Sequence, residues 1–168
     1  MPLDHFSINV PLSKLDGVIA FLTSSLKHLG LKEIVRPVPF VVGLGEKAPY
    51  FWITGIDPDY ADEKTQELLS KKQHVAFTAE SKSISFPVSF VDSAYTHARP
   101  GLRFSILTDL NIDAEQVREF HTAALKAGGT CNGPPGLREH YHPGYYGAFV
   151  RDPECGLNFE VVCHKGDI

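Results

Sequence analysis

One stretch of this sequence occurs twice. FLTSSLKHLG (21–30) lies without gaps on FHTAALKAGG (120–129), sharing Phe21/Phe120, Thr23/Thr122, Leu26/Leu125, Lys27/Lys126 and Gly30/Gly129, and Val18/Val117 extends the match. An internal repeat constrains a fold more than any local pattern, because each copy must be one supersecondary unit that cannot bury its apolar face alone. Upstream of each copy stands a short alternating stretch headed by histidine, His5-Phe-Ser-Ile-Asn-Val and His74-Val-Ala-Phe-Thr-Ala. Residues 3–10 alternate as a strand, with Leu3, His5, Ser7 and Asn9 on one face. Leu15, Val18, Ile19, Leu22, Leu26 and Leu29 then recur at helical spacing, and Gly30 supplies the stop. Strand candidates follow at 31–35, 38–44 and 50–54, punctuated by Pro37, Pro39, Gly43, Gly45 and Pro49. The second half closes with an aromatic-rich strand beginning near Tyr141, a turn carrying Asp152-Pro153 and Gly156, and a strand over 158–163. Each half therefore reads as strand, helix and several strands.

The expected class is α+β: two βαβββ modules covering each other as one open, cup-shaped mixed sheet. Module 1 is placed at about 1–57, a charged linker at 58–72 and module 2 at 73–168, all within one domain. The halves differ in one respect. From His5 to Phe21 is 16 positions, from His74 to Phe120 is 46, and the excess falls at about 82–112. Connections of that length are commonly functional or disordered. ISFPVSFV and LRFSIL inside it could pair as a hairpin or lid. Removing the segment also joins HVAFTAES to DAEQVREFH cleanly, so translated intron sequence is a further reading.

Composition narrows the partners. A net charge of -4 with a pI near 6.0 offers no electrostatic footprint for nucleic acid. No apolar run approaches the roughly 20 residues of a membrane span. The N-terminus lacks the basic-then-apolar form of a secretory signal, and the three cysteines (Cys131, Cys155, Cys163) form no CxxC pair, so the expectation is a cytoplasmic protein with free thiols.

Chemistry centres on Glu160. Asn158, Glu160 and Val162 share one face of the last strand, and Phe159, Val161 and Cys163 share the other. A carboxylate inside an apolar strand is costly unless paired or bound to a metal. His5 and His74 hold equivalent places in the two halves, and matching PYFWIT to LNFEVV sets Trp52 opposite Glu160. Two imidazoles and one carboxylate suit a divalent ion with open positions: Fe2+, Mn2+, Zn2+, Ni2+ or Co2+. Taken singly, His5 and His74 read as ordinary strand histidines with hydrogen bonds; the repeat is what selects them. No nucleophile–base pair is evident, Cys163 faces away from Glu160, and Gly43-Leu44-Gly45 lacks the lysine of a nucleotide loop.

The paired modules, the histidine heading each, and KAGG (126–129), GPPGLR (133–138), YHPGYYGAFV (141–150) and DPECGLNFE (152–160) resemble the vicinal oxygen chelate superfamily, in its glyoxalase/bleomycin resistance protein/dioxygenase-like branch. The resemblance covers the chain apart from the inserted segment. It implies metal ligands at His5, His74 and Glu160. The fourth ligand of glyoxalase I falls on Trp52, which cannot coordinate, so the implied site is the three-ligand kind of extradiol dioxygenases and fosfomycin-modifying enzymes. The turn before Glu160 is one residue longer than the family's usual one. A second tier is expected in Arg138, His140, Tyr141, His142, Tyr145 and Tyr146, with Tyr145, Tyr146, His142 and Arg138 as catalytic candidates, since histidine titrates near neutrality and tyrosine can donate to an oxyanion. The implied function is a metal-dependent enzyme acting on a small oxygen-chelating substrate by lyase, isomerase or dioxygenase chemistry. The alternative is a metal-free protein of the bleomycin-resistance type that sequesters a small aromatic compound. The implied partner is a small molecule, and the chain is expected as a monomer or homodimer.

Overall fold

The computed structural model of the chain describes residues 4–59, 62, 64–65, 71–79 and 109–164, with side chains from 114 onward in the last stretch. The first half runs β1 (Phe6–Pro11), α1 (Leu15–Ser25), β2 (Lys32–Val38), β3 (Val41–Gly45) and β4 (Pro49–Ile56). The second runs β5 (His74–Thr78), α2 (Asp109–Lys126), β6 (Thr130–Leu137), β7 (Tyr146–Arg151) and β8 (Asn158–Cys163). Both halves are βαβββ, as the repeat requires. Their strands hydrogen-bond as two four-stranded mixed sheets, β1-β4-β3-β2 and β5-β8-β7-β6. The hairpin or lid expected within 82–112 lies outside the described residues, apart from 109–112, which belong to α2. Most of the linker expected at 58–72 lies outside them too. No helix among the described residues is long and apolar enough to cross a membrane.

The parallel pairs fix the equivalences between halves. Ser7 faces Trp52 across β1 and β4, and Ala76 faces Glu160 across β5 and β8. His5 and His74 each stand two residues before the matched Ser7 and Ala76, so the correspondence read from the sequence holds in the backbone register. It slips at the helix ends. The left-handed glycine matching Gly30 (φ 87°) is Gly128 (φ 91°), not Gly129. Leu31 N–H donates to the Leu26 carbonyl at 3.3 Å and Gly129 N–H to that of Ala124 at 3.0 Å, the same six-residue closure set one position apart.

Two of the outer strands carry proline inside them, whereas β1 only ends on one, Pro11. Pro37 lies in β2 and Pro134-Pro135 in β6, and both strands break register against their neighbours. The stretch before Arg138 is thus an edge strand. An edge tolerates missing N–H donors, which a central strand does not.

The helices lie on one side of the sheets and make the core there. β1 sends Ile8 and Val10 inward, α1 buries Leu15, Val18, Ile19, Phe21 and Leu22, and α2 buries Ala114, Val117, Phe120 and Ala124. Phe159 of β8 is fully buried and tilts against Phe21 of α1 with ring centroids 6.1 Å apart, so the core runs through both modules. Phe51 and Phe77 bridge them again at 5.7 Å. His28 Nε2 lies 3.0 Å from the Gln116 carbonyl and donates to it. The opposite side of the sheets is where strand alternation puts Glu160.

Candidate functional site

Glu160 is 1% exposed, and both of its oxygens are engaged. Tyr145 O–H donates to Oε1 at 2.6 Å, and His74 Nε2 lies 3.0 Å from Oε2. These partners answer the cost of a buried carboxylate. His74 faces Asn158 across β5 and β8, and the Asn158 amide Nδ2 stands 2.6 Å from His74 Nδ1. Asn132 Nδ2 donates to Asn158 Oδ1 at 3.1 Å, and Arg151 Nε donates to Asn132 Oδ1 at 3.2 Å. Five side chains from four strands and one preceding turn residue thus form one line ending at Glu160.

The turn before β8 sets this register. Asp152 is buried and its carboxylate accepts the N–H groups of Glu154, Cys155 and Leu157, while Gly156 takes the left-handed conformation (φ 71°). The extra residue is absorbed there, and Glu160 still lands opposite Phe149. Gly147 makes room for the carboxylate: a Cβ on it would lie 2.8 Å from Glu160 Oε1 and 3.3 Å from the Tyr145 ring.

A recess of about 610 Å³ opens over this line, walled by Phe149, Tyr141, Tyr145, His140 and Arg138. The Phe149 ring lies across Gly133, as Trp52 lies across Gly43 in the first module. Arg138 stands 5.8 Å over Phe149 and donates to the Pro134 and Leu137 carbonyls. His74 also borders a second recess of about 590 Å³, which runs between β5 and Ser7 and Asn9 of β1.

Burial first, then the hydrogen bond and charge of Glu160, raise the Tyr145 phenol above its ordinary value of 10.0. The phenol therefore stays a donor. A native value above the unfolded one means that the native state keeps a proton which the unfolded chain loses above about pH 10. That contribution is whole below pH 10 and is lost as pH rises through the native value. Tyr145→Phe is accordingly expected to lose stability less steeply than wild type above about pH 10, followed by urea unfolding at stepped pH. Equal slopes would remove the Tyr145–Glu160 bond from the account.

The candidates separate as follows. Glu160, His74, Tyr145 and Arg138 come together. His5 does not join them: it precedes β1, is exposed, and pairs with Asp4 at 2.6 Å. Among the described residues, no three His, Cys, Asp or Glu side chains converge to hold one metal. Among the described residues, His74 and Glu160 are the two of the three expected ligands that meet. Tyr146 lies apart from the other candidates. Strand alternation turns it to the helix side, packed on the core with Arg118 Nη1 at 3.3 Å from its hydroxyl, away from Glu160. His142 stands outside the recess, its Nε2 3.0 Å from His164 Nδ1 and its ring edge-on to Tyr145 at 5.2 Å. It braces Tyr145. The sequence reading gave no role to Asn132, Asn158, Gly147, Phe149 or Arg151. Asn158 had a visible signal, being on the face of Glu160 two residues away.

No family model matches the chain, and no curated protein sequence matches it significantly. Solved structures do resemble it. A glyoxalase/bleomycin resistance protein from Albidiferax ferrireducens T118 is 19% identical over 95% of this chain and 97% of its own, with a TM-score of 0.55. The fosfomycin resistance protein FosX from Listeria monocytogenes is 14% identical over 99% and 92%, with a TM-score of 0.54. A lactoylglutathione lyase from Agrobacterium tumefaciens is 14% identical over 97% and 95%, with a TM-score of 0.50. At these identities the likeness is one of fold: the chain has the paired-module architecture of glyoxalase and bleomycin-resistance proteins.

Proposed function

We propose that the chain binds a small planar aromatic compound in the recess over Glu160 without a metal ion, as a sequestering protein of the vicinal oxygen chelate type. The carrying observation is the line of hydrogen bonds that ends on buried Glu160 beneath an aromatic-walled recess. Its size is in the usual range for small-ligand sites, roughly 300–1,000 Å³. Each Glu160 oxygen has a lone pair beyond its present bond, so the floor accepts an O–H or N–H from the ligand. Phe149, Tyr141 and Tyr145 offer ring surfaces, and Arg138 at the wall favours a carbonyl or anionic substituent. A phenol or aryl amine with such a substituent meets these demands together.

Calorimetric titration of chelator-treated protein with a panel of small planar phenols and aryl amines, catechol and aminobenzoate among them, tests the reading. At least one member is expected to saturate the site, with affinity about 10- to 100-fold weaker in Glu160→Ala, the worth of a hydrogen bond to a charged group. No saturation across the panel, or equal affinity in Glu160→Ala, sinks the reading. The competing reading is a divalent-metal enzyme of lyase, isomerase or dioxygenase type. What favours it is that His74 Nε2 and Glu160 Oε2 are 3.0 Å apart, near the spacing of neighbouring ligands on an ion with bonds of roughly 2.0–2.2 Å. It needs a third donor, and His5 stands with Asp4. Stoichiometric metal that is lost in His74→Ala would put it in first place.

A further inference from the structure

In the line that leads to Glu160, one member can bond in only one sense. Arginine donates and never accepts. Arg151 is held in place by the Gly156 carbonyl at 3.0 Å and the Lys71 carbonyl at 3.3 Å, and its Nε–H is directed at Asn132. Asn132 must therefore turn its oxygen to Arg151 and its NH2 to Asn158. Asn158 must meet that donor with its own oxygen, which turns its NH2 to His74 Nδ1 at 2.6 Å. A neutral imidazole has one donor and one acceptor nitrogen. Facing an NH2 group, Nδ1 has to be the acceptor, and the proton goes to Nε2. There it meets Glu160 Oε2, an acceptor, at 3.0 Å.

We infer that Arg151, Asn132 and Asn158 are positioning residues that hold His74 in its Nε2–H form, so that His74 and Glu160 act as a donor–acceptor pair and not as a metal chelate. A neutral histidine that binds a metal through Nε2 carries its proton on Nδ1 and passes it to a carboxylate, carbonyl or water. The Asn158 NH2 occupies that place with a donor. The inference rests on the metal-free reading of the recess and adds what enforces it. Arg151 lies three links from His74 and acts through the two asparagines alone.

Asn132→Asp tests the relay without touching His74. A carboxylate at 132 accepts from Arg151 and presents a second acceptor to Asn158, whose amide then reverses and offers its oxygen to His74 Nδ1. Nδ1 is expected to gain a proton while Glu160 keeps the one on Nε2, read from imidazole 15N shifts and 15N–1H couplings of the full-length protein. Asn158→Asp makes the same inversion one link nearer. In both variants Zn2+ affinity, measured by competition with a chromophoric chelator, is expected to rise about 10- to 100-fold over wild type. The gain is expected to vanish when His74→Ala is added. Wild-type His74 protonated on Nδ1 overturns the inference, as do folded Asn132→Asp and Asn158→Asp proteins in which Nδ1 stays unprotonated. Ligand titration of the Glu160 variant is a separate measurement, so either reading can fail alone.

Discussion

Phe159→Ala is expected to lower the stability of the chain by about 3–5 kcal/mol. Phe159 has no exposed surface, and its ring meets Phe21 from the other module. Truncation would therefore leave a cavity at the junction of two units, neither of which can close over it alone. The effect should reach the recess too, because Phe159 sits between Asn158 and Glu160 on one short strand. Urea unfolding gives the measurement. A loss under about 1 kcal/mol would mean that the halves do not share one core.

The second large effect is expected at Gly147, a residue with no side chain to lose. Alanine there would bring a Cβ to 2.8 Å from Glu160 Oε1, inside contact distance. The carboxylate has little room to retreat, since Tyr145 and His74 hold its two oxygens and it is buried. Its bond to Tyr145 should break, leaving a buried charge short of one donor at a cost of about 1–3 kcal/mol. Ligand affinity should fall about 10- to 100-fold with it. Parallel thermal unfolding and ligand titration would show this. A Gly147→Ala protein with wild-type melting and affinity would mean that the carboxylate does not sit where β7 passes beneath it.

Much of the architecture was open to a reading of the chain, since a repeat dictates that its two copies fold alike. The helix stripe at 15–29 and the alternation of β8 follow from period alone, and the second helix follows from the repeat. Two features resisted. β6 hid behind Pro134 and Pro135, which forbid a central strand but not an edge, and whether a stretch is an edge is a tertiary fact. Tyr145 and Tyr146 look interchangeable in sequence, yet strand alternation sends one to Glu160 and the other to Arg118. The site was legible at Glu160, where an isolated charge among apolar residues demands a partner, and at His74, which the repeat singled out. The repeat singled out His5 equally, and the structure places it against Asp4. Sequence symmetry marks equivalent positions but does not oblige both to be used. Asn132 and Arg151 lie on β6 and β7, and only the register of those strands joins them to His74.

The prolines of β2 and β6 bear on what the molecule does in a crowded solution. A sheet grows when a foreign strand finds a row of free N–H and C=O groups along its rim. At Pro37, Pro134 and Pro135 that row lacks its donors, and the register breaks beside them bend it. A neighbouring chain laid along either outer strand would miss rungs within a few residues. These two rims are therefore poor templates for fibrillar stacking.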